Sequence, residues 1–187
     1  MLKDINEVYW FPMRVAYHHE LRIRDELLKL NIEHYLPLKW ELRTYGDNMR
    51  RLLVPALNII FIRSRKEDIT KMKMYNKELT YLRYIKNTSS STNKQDTDSD
   101  ITIVPDCEMN SFMLATNQGE EQPQYLRYTD FLEKEGRKVR VIKGNFVGVE
   151  GKIKRIQRDR CVVVCLRGIA AVAIHVPFNQ LQFLDGK

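Results

Sequence analysis

Side chains able to move protons or bind metals are few in this 187-residue chain, and their spacing serves neither purpose. His18-His19-Glu20 is the densest group. Neighbouring histidines at a helix start point in different directions, no second ligand pair follows at i+4, and Glu20 does not open a His-Glu-x-x-His spacing. Cys107, Cys161 and Cys165 are odd in number and lack metal-type spacing. Cys161 and Cys165 stand four apart in a strand-like run, hence on one face, as small apolar residues do. No Ser-His-Asp order, phosphate-binding loop or carboxylate pair stands out. The expected protein is not an enzyme and takes no cofactor and no metal.

What remains is the chemistry of binding anions. The formal net charge is +7, and it is unevenly distributed. Residues 136–187 hold five Lys and six Arg against Glu150, Asp159 and Asp185, a net of +8; residues 1–135 hold 20 basic and 21 acidic side chains and sum to −1. A nearly neutral first domain joined to a small basic one suggests an anionic partner, nucleic acid first, with a solvated basic surface as the plain alternative. A second basic group, Arg63, Arg65, Lys66, Lys71, Lys73 and Lys77, surrounds a predicted helix.

The elements that must position these charges follow from periodicity. Residues 10–17 read as a strand made irregular by Pro12. Residues 18–30 read as a helix with Ile23, Leu27 and Leu30 at i, i+4 and i+7, stopped at Asn31. Leu36, Leu38, Trp40 and Leu42 alternate with Pro37, Lys39, Glu41 and Arg43, which marks a strand with one apolar face, and Gly46-Asp47-Asn48 closes it with turn residues. An antiparallel partner is predicted over 51–63, where Asn58-Ile59-Ile60-Phe61-Ile62 is apolar enough to be central and buried on both faces. A helix over 67–77, with Glu67 and Asp68 favouring its N-terminus, and a strand over 79–85 complete helices packed on an antiparallel sheet, an α+β architecture. Residues 87–100 contain no apolar side chain and read as a mobile loop. A third helix is predicted over 106–115, with Met109, Phe112 and Met113 on one side.

The last quarter has a different character. Val139-Arg140-Val141 alternates apolar and basic residues, Gly144, Gly148 and Gly151 punctuate a wide loop around Phe146, and Lys152-Ile153-Lys154-Arg155-Ile156 resumes the alternation. Glycine at such spacing permits positive φ and close backbone approach. With strands predicted at 161–166, 171–176 and 181–183 and a turn at Arg167-Gly168, five short strands suggest a small closed barrel. The expected organisation is a first domain over 1–117, a linker over 118–135 and a barrel over 136–187. No apolar run approaches the roughly 20 residues of a membrane span, and the N-terminal residues lack an apolar signal region. A soluble, cytoplasmic monomer without a membrane partner is expected.

The pattern Gly144-x-Phe146-x-Gly148-x-x-Gly151 between two strands resembles the KOW motif of NusG-type transcription elongation factors, a motif shared with ribosomal proteins. Trp10-Phe11 is similar to that family's opening Trp-Tyr, His19-Glu20 to the pair opening its first helix, and His34-Tyr35-Leu36-Pro37 to the segment leading into its second strand. Val54-Pro55-Ala56-Leu57-Asn58-Ile59-Ile60-Phe61-Ile62 resembles its Pro-Leu-Phe-Pro-Gly-Tyr-Val-Phe-Val signature. Leu57 replaces a proline, Ile59 replaces the tyrosine, and Asn58 stands where glycine is usual, a swap that fits a left-handed position. Thr102-Ile103-Val104-Pro105-Asp106 is similar to the start of the third helix. The resemblance runs from Trp10 to Phe183 with 87–100 outside it. Within the family it is to the specialised UpxY- and RfaH-type paralogues, which promote transcription of long operons such as capsular polysaccharide loci.

The resemblance implies an NGN-like first domain that binds the clamp of RNA polymerase through an apolar depression and suppresses pausing or termination. Such a ligand acts by binding the closed clamp more tightly than the open one. The matching positions are Trp10, Phe11, Pro55, Ala56, Leu57, Asn58, Ile59 and Phe61. Paralogues that read a DNA element meet the exposed non-template strand with this domain, and Arg63, Arg65, Lys66, Lys71 and Lys73 are the candidates here. A KOW barrel implies a second partner, a ribosomal protein or the termination factor Rho, met near Leu166-Arg167. The plainer readings make Trp10 and Phe61 core residues and the basic group a solvated helix face. The alternative function is a KOW-type RNA-binding protein of the translation machinery.

Overall fold

The computed structural model describes residues 8–46, 48–86, 101–117, 123–126, 136–156, 159–166 and 169–184. The expected loop over 87–100, the expected turn at Arg167-Gly168 and most of the expected linker over 118–135 lie outside the described residues. The chain divides between Pro105 and Asp106 into two compact units.

The first unit runs β1 (Tyr9–Val15), α1 (Glu20–Lys29), β2 (His34–Tyr35), β3 (Leu38–Tyr45), β4 (Asn48–Pro55), β5 (Ile59–Ser64), α2 (Lys66–Tyr75) and β6 (Leu82–Tyr84). Four strands form an antiparallel sheet in the order β2-β5-β1-β6. Phe11 opposes Ile62, Pro12 opposes Phe61 and Met13 opposes Ile60. Alternation therefore sends Phe11, Met13, Ile60 and Ile62 to one face and Trp10, Pro12 and Phe61 to the other. The first face forms one core with Ile23 and Leu27 of α1, Ile69 of α2, and Leu79 and Leu82. The second face is buried too, as the unbroken run Ile59-Ile60-Phe61-Ile62 leads one to expect.

Two local choices explain how the sequence tolerates this. Pro12 sits in the middle of β1, not at its start. The Trp10 carbonyl accepts from the Val104 N–H, so Pro12 turns its missing N–H to that same side, between the Val104 bridge and the β6 pairing that begins at Met13. No ladder bond is lost there. Helix α1 stops at Asn31, which takes φ +53°. The Asn31 and Ile32 N–H groups donate to the carbonyls of Leu28 and Leu27, both at 3.0 Å, satisfying the last turn.

The predicted strand 51–63 is in fact two. A bend at Ala56-Leu57-Asn58 separates them. β4 pairs with β3 from Leu38 on Pro55 to Tyr45 on Asn48 as a two-stranded sheet of its own, while β5 belongs to the main sheet. The predicted strand over 79–85 begins as a 3-10 turn, Glu78–Tyr81, before β6.

The second unit contains α3 (Asp106–Thr116), β7 (Gln124–Leu126), β8 (Lys138–Val141), β9 (Glu150–Ile156), β10 (Asp159–Leu166), β11 (Ala170–Ile174) and β12 (Leu181–Phe183). The division thus falls ahead of the expected linker and gives α3 to this unit, where it lies against β9, β10 and β11. The strands form one antiparallel sheet in the order β12-β8-β9-β10-β11-β7. The five predicted strands are present, but the expected closed barrel is not found. β7 occupies the edge of β11 that a closing strand would use, and no pairing among the described residues joins β12 to β7. Val162, Val163, Val164 and all of Ala170–Ile174 are buried, so the centre of this sheet is covered on both faces. Among the described residues no helix is long and apolar enough to cross a membrane.

Candidate interaction surfaces

The sequence-derived polymerase contacts separate into two groups. Trp10 is 3% exposed and Phe61 0%, and Phe11 and Ile59 are also buried. Phe11 belongs to the helix-covered core. Pro55, Ala56 and Leu57 are half-buried and Asn58 is exposed. This bend is pinned from both sides: the Ala56 N–H donates to the Pro37 carbonyl and the Val15 N–H to the Asn58 carbonyl, each at 2.8 Å. Asn58 is not among the residues of positive φ, so the left-handed position expected for it is not used. The bend is the part of the signature that faces outward.

A neighbouring feature was not expected. On the β3–β4 hairpin, Trp40 opposes Leu53, Leu42 opposes Arg51 and Thr44 opposes Met49, so one face carries all six. Leu42 is 64% and Met49 67% exposed. The Arg51 guanidinium lies 4.8 Å from the Trp40 ring centre, a cation–π contact. The opposite face sets Arg43 directly against Arg50, with Glu41 3.3 Å from Arg43. Like charges facing across a ladder destabilise it. The alternation in the sequence shows the apolar face; it does not show that this face stays exposed.

The basic group around α2 does not form one patch. Arg63 pairs with Glu33 at 3.1 Å. Lys66, Thr70 and Lys73 recur along one helix face above Tyr84: the Tyr84 hydroxyl donates to the Lys66 carbonyl at 3.3 Å, and the Lys73 ammonium lies 5.1 Å from the Tyr84 ring centre. Burial and the charge of Arg83 push the Lys73 pKa down from its ordinary value. Arg65 and Lys71 are exposed, and beside Lys71 so are Met74 and Tyr75.

His18-His19-Glu20 opens a structural cluster. Tyr17 and His18 both take positive φ, +59° and +58°, a conformation costing roughly 1–2 kcal/mol for each non-glycine residue. Histidine visits this region more readily than most residues, but nothing in the identity of Tyr17 signals it. The His19 ring lies against Tyr81, with ring centres 3.9 Å apart and planes tilted by 44°, and its Nδ1 stands 3.6 Å from Glu78 Oε2. In the second unit, Cys161 Sγ lies 3.6 Å from His175 Nδ1. Burial, then the charge of Asp159, push the Cys161 thiol up, the reverse of an activated nucleophile. Among the described residues no group of three or more His, Cys, Asp or Glu could hold a metal ion.

The glycine loop between β8 and β9 obeys strict geometry. Gly144 and Gly148 take φ +84° and +90°. A Cβ on Gly144 would stand 2.7 Å from Gln180 Oε1, and one on Gly151 2.6 Å from the Val163 carbonyl oxygen. Phe146 is buried beneath the loop. The Gly148 N–H donates to the Val141 carbonyl and the Val141 N–H to that of Val149, both at 2.9 Å, so the loop closes on β8. Leu166, expected near a second-partner contact, is buried, and Arg167 lies outside the described residues.

No protein-family model matches the chain, and no curated protein sequence matches it.

Proposed function

We propose that the chain is a transcription antitermination or elongation factor of NusG type, acting without catalysis. It binds the clamp of RNA polymerase through its first unit and suppresses pausing or termination on specific long operons such as polysaccharide-biosynthesis loci. The observation that carries this reading is the glycine loop. Gly144 and Gly148 are required by positive φ and Gly151 by a backbone carbonyl 2.6 Å from its missing Cβ. The KOW-like spacing is therefore a physical requirement of this loop, not a coincidence of letters. The same chain carries Trp10 and the Ile59-to-Phe61 part of the signature on an antiparallel sheet with packed helices.

In this reading the polymerase meets the 55–58 bend and the apolar face of β3–β4, while Trp10, Ile59 and Phe61 are buried in the main sheet. Arg65 and Lys71 are the members of the α2 group that reach toward non-template DNA. A ribosomal protein or Rho is the second partner, met near Arg167 between β10 and β11, since Leu166 itself is buried. The protein works in the cytoplasm as a monomer. Transcription by purified RNA polymerase through a long leader with pause sites tests the function: added protein raises the yield of full-length transcript, and an unchanged yield on every template sinks it. The second reading is an RNA-binding protein of the translation machinery, favoured by the +8 concentrated in residues 136–187. Cosedimentation with ribosomes rather than with polymerase would select it.

A further inference from the structure

We propose that the outer edge of β4 takes up one further strand, an extended acidic segment of a protein partner. The partner is the polymerase of the proposed function, and the inference rests on that reading for this identity alone. β3 and β4 are eight residues each, and their register runs unbroken from Leu38 on Pro55 to Tyr45 on Asn48. Among the described residues neither strand pairs with a third. The outward-pointing half of the β4 backbone groups thus has no ladder partner. Folded chains blunt such edges with bulges, prolines or charge. β4 has no bulge in this register, and its one proline, Pro55, stands at its end. Only charge is left: Arg50 and Arg51, one on each face, with no acid on the strand.

That charge decides what the edge accepts. Arg50 faces Arg43 across the ladder, and the one acid beside this pair is Glu41, 3.3 Å from Arg43. A strand added about 4.8 Å from β4 sets an acidic side chain beside Arg50 and turns repulsion there into attraction. On its other face the same strand lies beside Met49, Arg51 and Leu53. Met49 is 67% and Leu53 44% exposed, so apolar residues of the added strand cover surface that two strands alone leave wet. A segment in which acidic and apolar residues alternate meets both demands. Its main chain supplies hydrogen bonds and its alternate side chains the selectivity, as in other strand additions. A second copy of this chain brings the same arginines to the edge, and like charge opposes it.

Fluorescence anisotropy of the full chain with a labelled eight-residue peptide of alternating Glu and Val tests this, with folding of each variant checked by circular dichroism. Arg50→Glu should weaken binding about tenfold. It sets an acid against Arg43 and removes the like-charge pair, so the ladder itself is not harmed. Arg22→Glu, the same charge change on an exposed position of α1, should leave affinity within about twofold. N-methylation of the peptide amides keeps its charges, removes its donors and should abolish binding. The peptide should slow amide exchange within Met49–Leu53 and not in β6 or β12, the edge strands of the other sheets. Binding that survives N-methylation, or no slowing within Met49–Leu53, overturns strand addition. Equally tight binding of an alternating Lys and Val peptide overturns the acidic occupant. A dimer in sedimentation that the peptide dissociates overturns it too, in favour of a second copy. Polymerase retention by the same variants separates the two proposals. Strand addition on β4 in a chain retaining no polymerase refutes the transcription reading alone. Polymerase retained equally by wild type and Arg50→Glu, with no slowing within Met49–Leu53, refutes this edge alone.

Discussion

The hairpins β3–β4 and β9–β10 share an antiparallel ladder and both set arginine against arginine, Arg43 on Arg50 and Arg155 on Arg160. They are held by different forces. β9–β10 lies inside a six-stranded sheet, between β8 and β11, and buries Val162, Val163 and Val164. β3–β4 is a two-stranded sheet of its own, and two strands alone are marginally stable in water. Its order comes from its root, where Leu38 packs on the first core and the Ala56 N–H holds the Pro37 carbonyl. A rigid hairpin can display charge at a fixed place. An arm with exposed Leu42 and Met49 has apolar surface still to bury, which is what a protein partner would use.

Substitution of glycine should separate the two most sharply. Gly151→Val drives a side chain into the Val163 carbonyl and should cost the second unit about 3 kcal/mol in denaturant unfolding. Gly46→Ala, at the β3–β4 turn, meets nothing within 4 Å and should cost about 1 kcal/mol, from its φ of +59° alone. Equal losses would mean that the arm is as tightly packed as the sheet. Amide exchange should follow the same order: the amides of Val162–Val164 and Val172 outlast those of Leu42 and Arg51 by about a hundredfold or more.

Surface changes sharpen the comparison at smaller amplitude. Leu42→Asp with Met49→Asp should shift unfolding by no more than about 0.5 kcal/mol, because both side chains already face water. A large loss would show that the exposed face belongs to a core. The smallest effect concerns pH. The Cys161 thiol on β10 is raised by burial, so its neutral form contributes stability that is fully present below the ordinary value of 9.0. That contribution is lost as pH climbs from 9.0 through the raised value. Wild type should therefore lose stability relative to Cys161→Ala over this window, and a difference independent of pH would contradict the assignment.

Where burial is continuous, the sequence is legible. The run Ile59-Ile60-Phe61-Ile62 announces a central strand, Asn31 announces the end of α1, and the glycines around Phe146 announce a tight loop. Features set by what lies opposite a residue are not. Alternation over Leu36 to Leu42 reveals an apolar face but not that it is buried at Leu36 and exposed at Leu42. Tyr84 divides the α2 lysines from outside their own helix. β7 is too short, at three residues, to show a period, yet it takes the edge that a closed barrel needs. Among the candidate contacts, burial of Trp10 and Phe61 moves the outward surface to the 55–58 bend and the arm.

Retention of purified RNA polymerase by the immobilised full chain tests the central claim most directly. The account predicts that wild type retains polymerase and that Leu57→Asp combined with Leu42→Asp, still folded by circular dichroism, loses most of it. Wild-type protein that retains no polymerase would contradict the account.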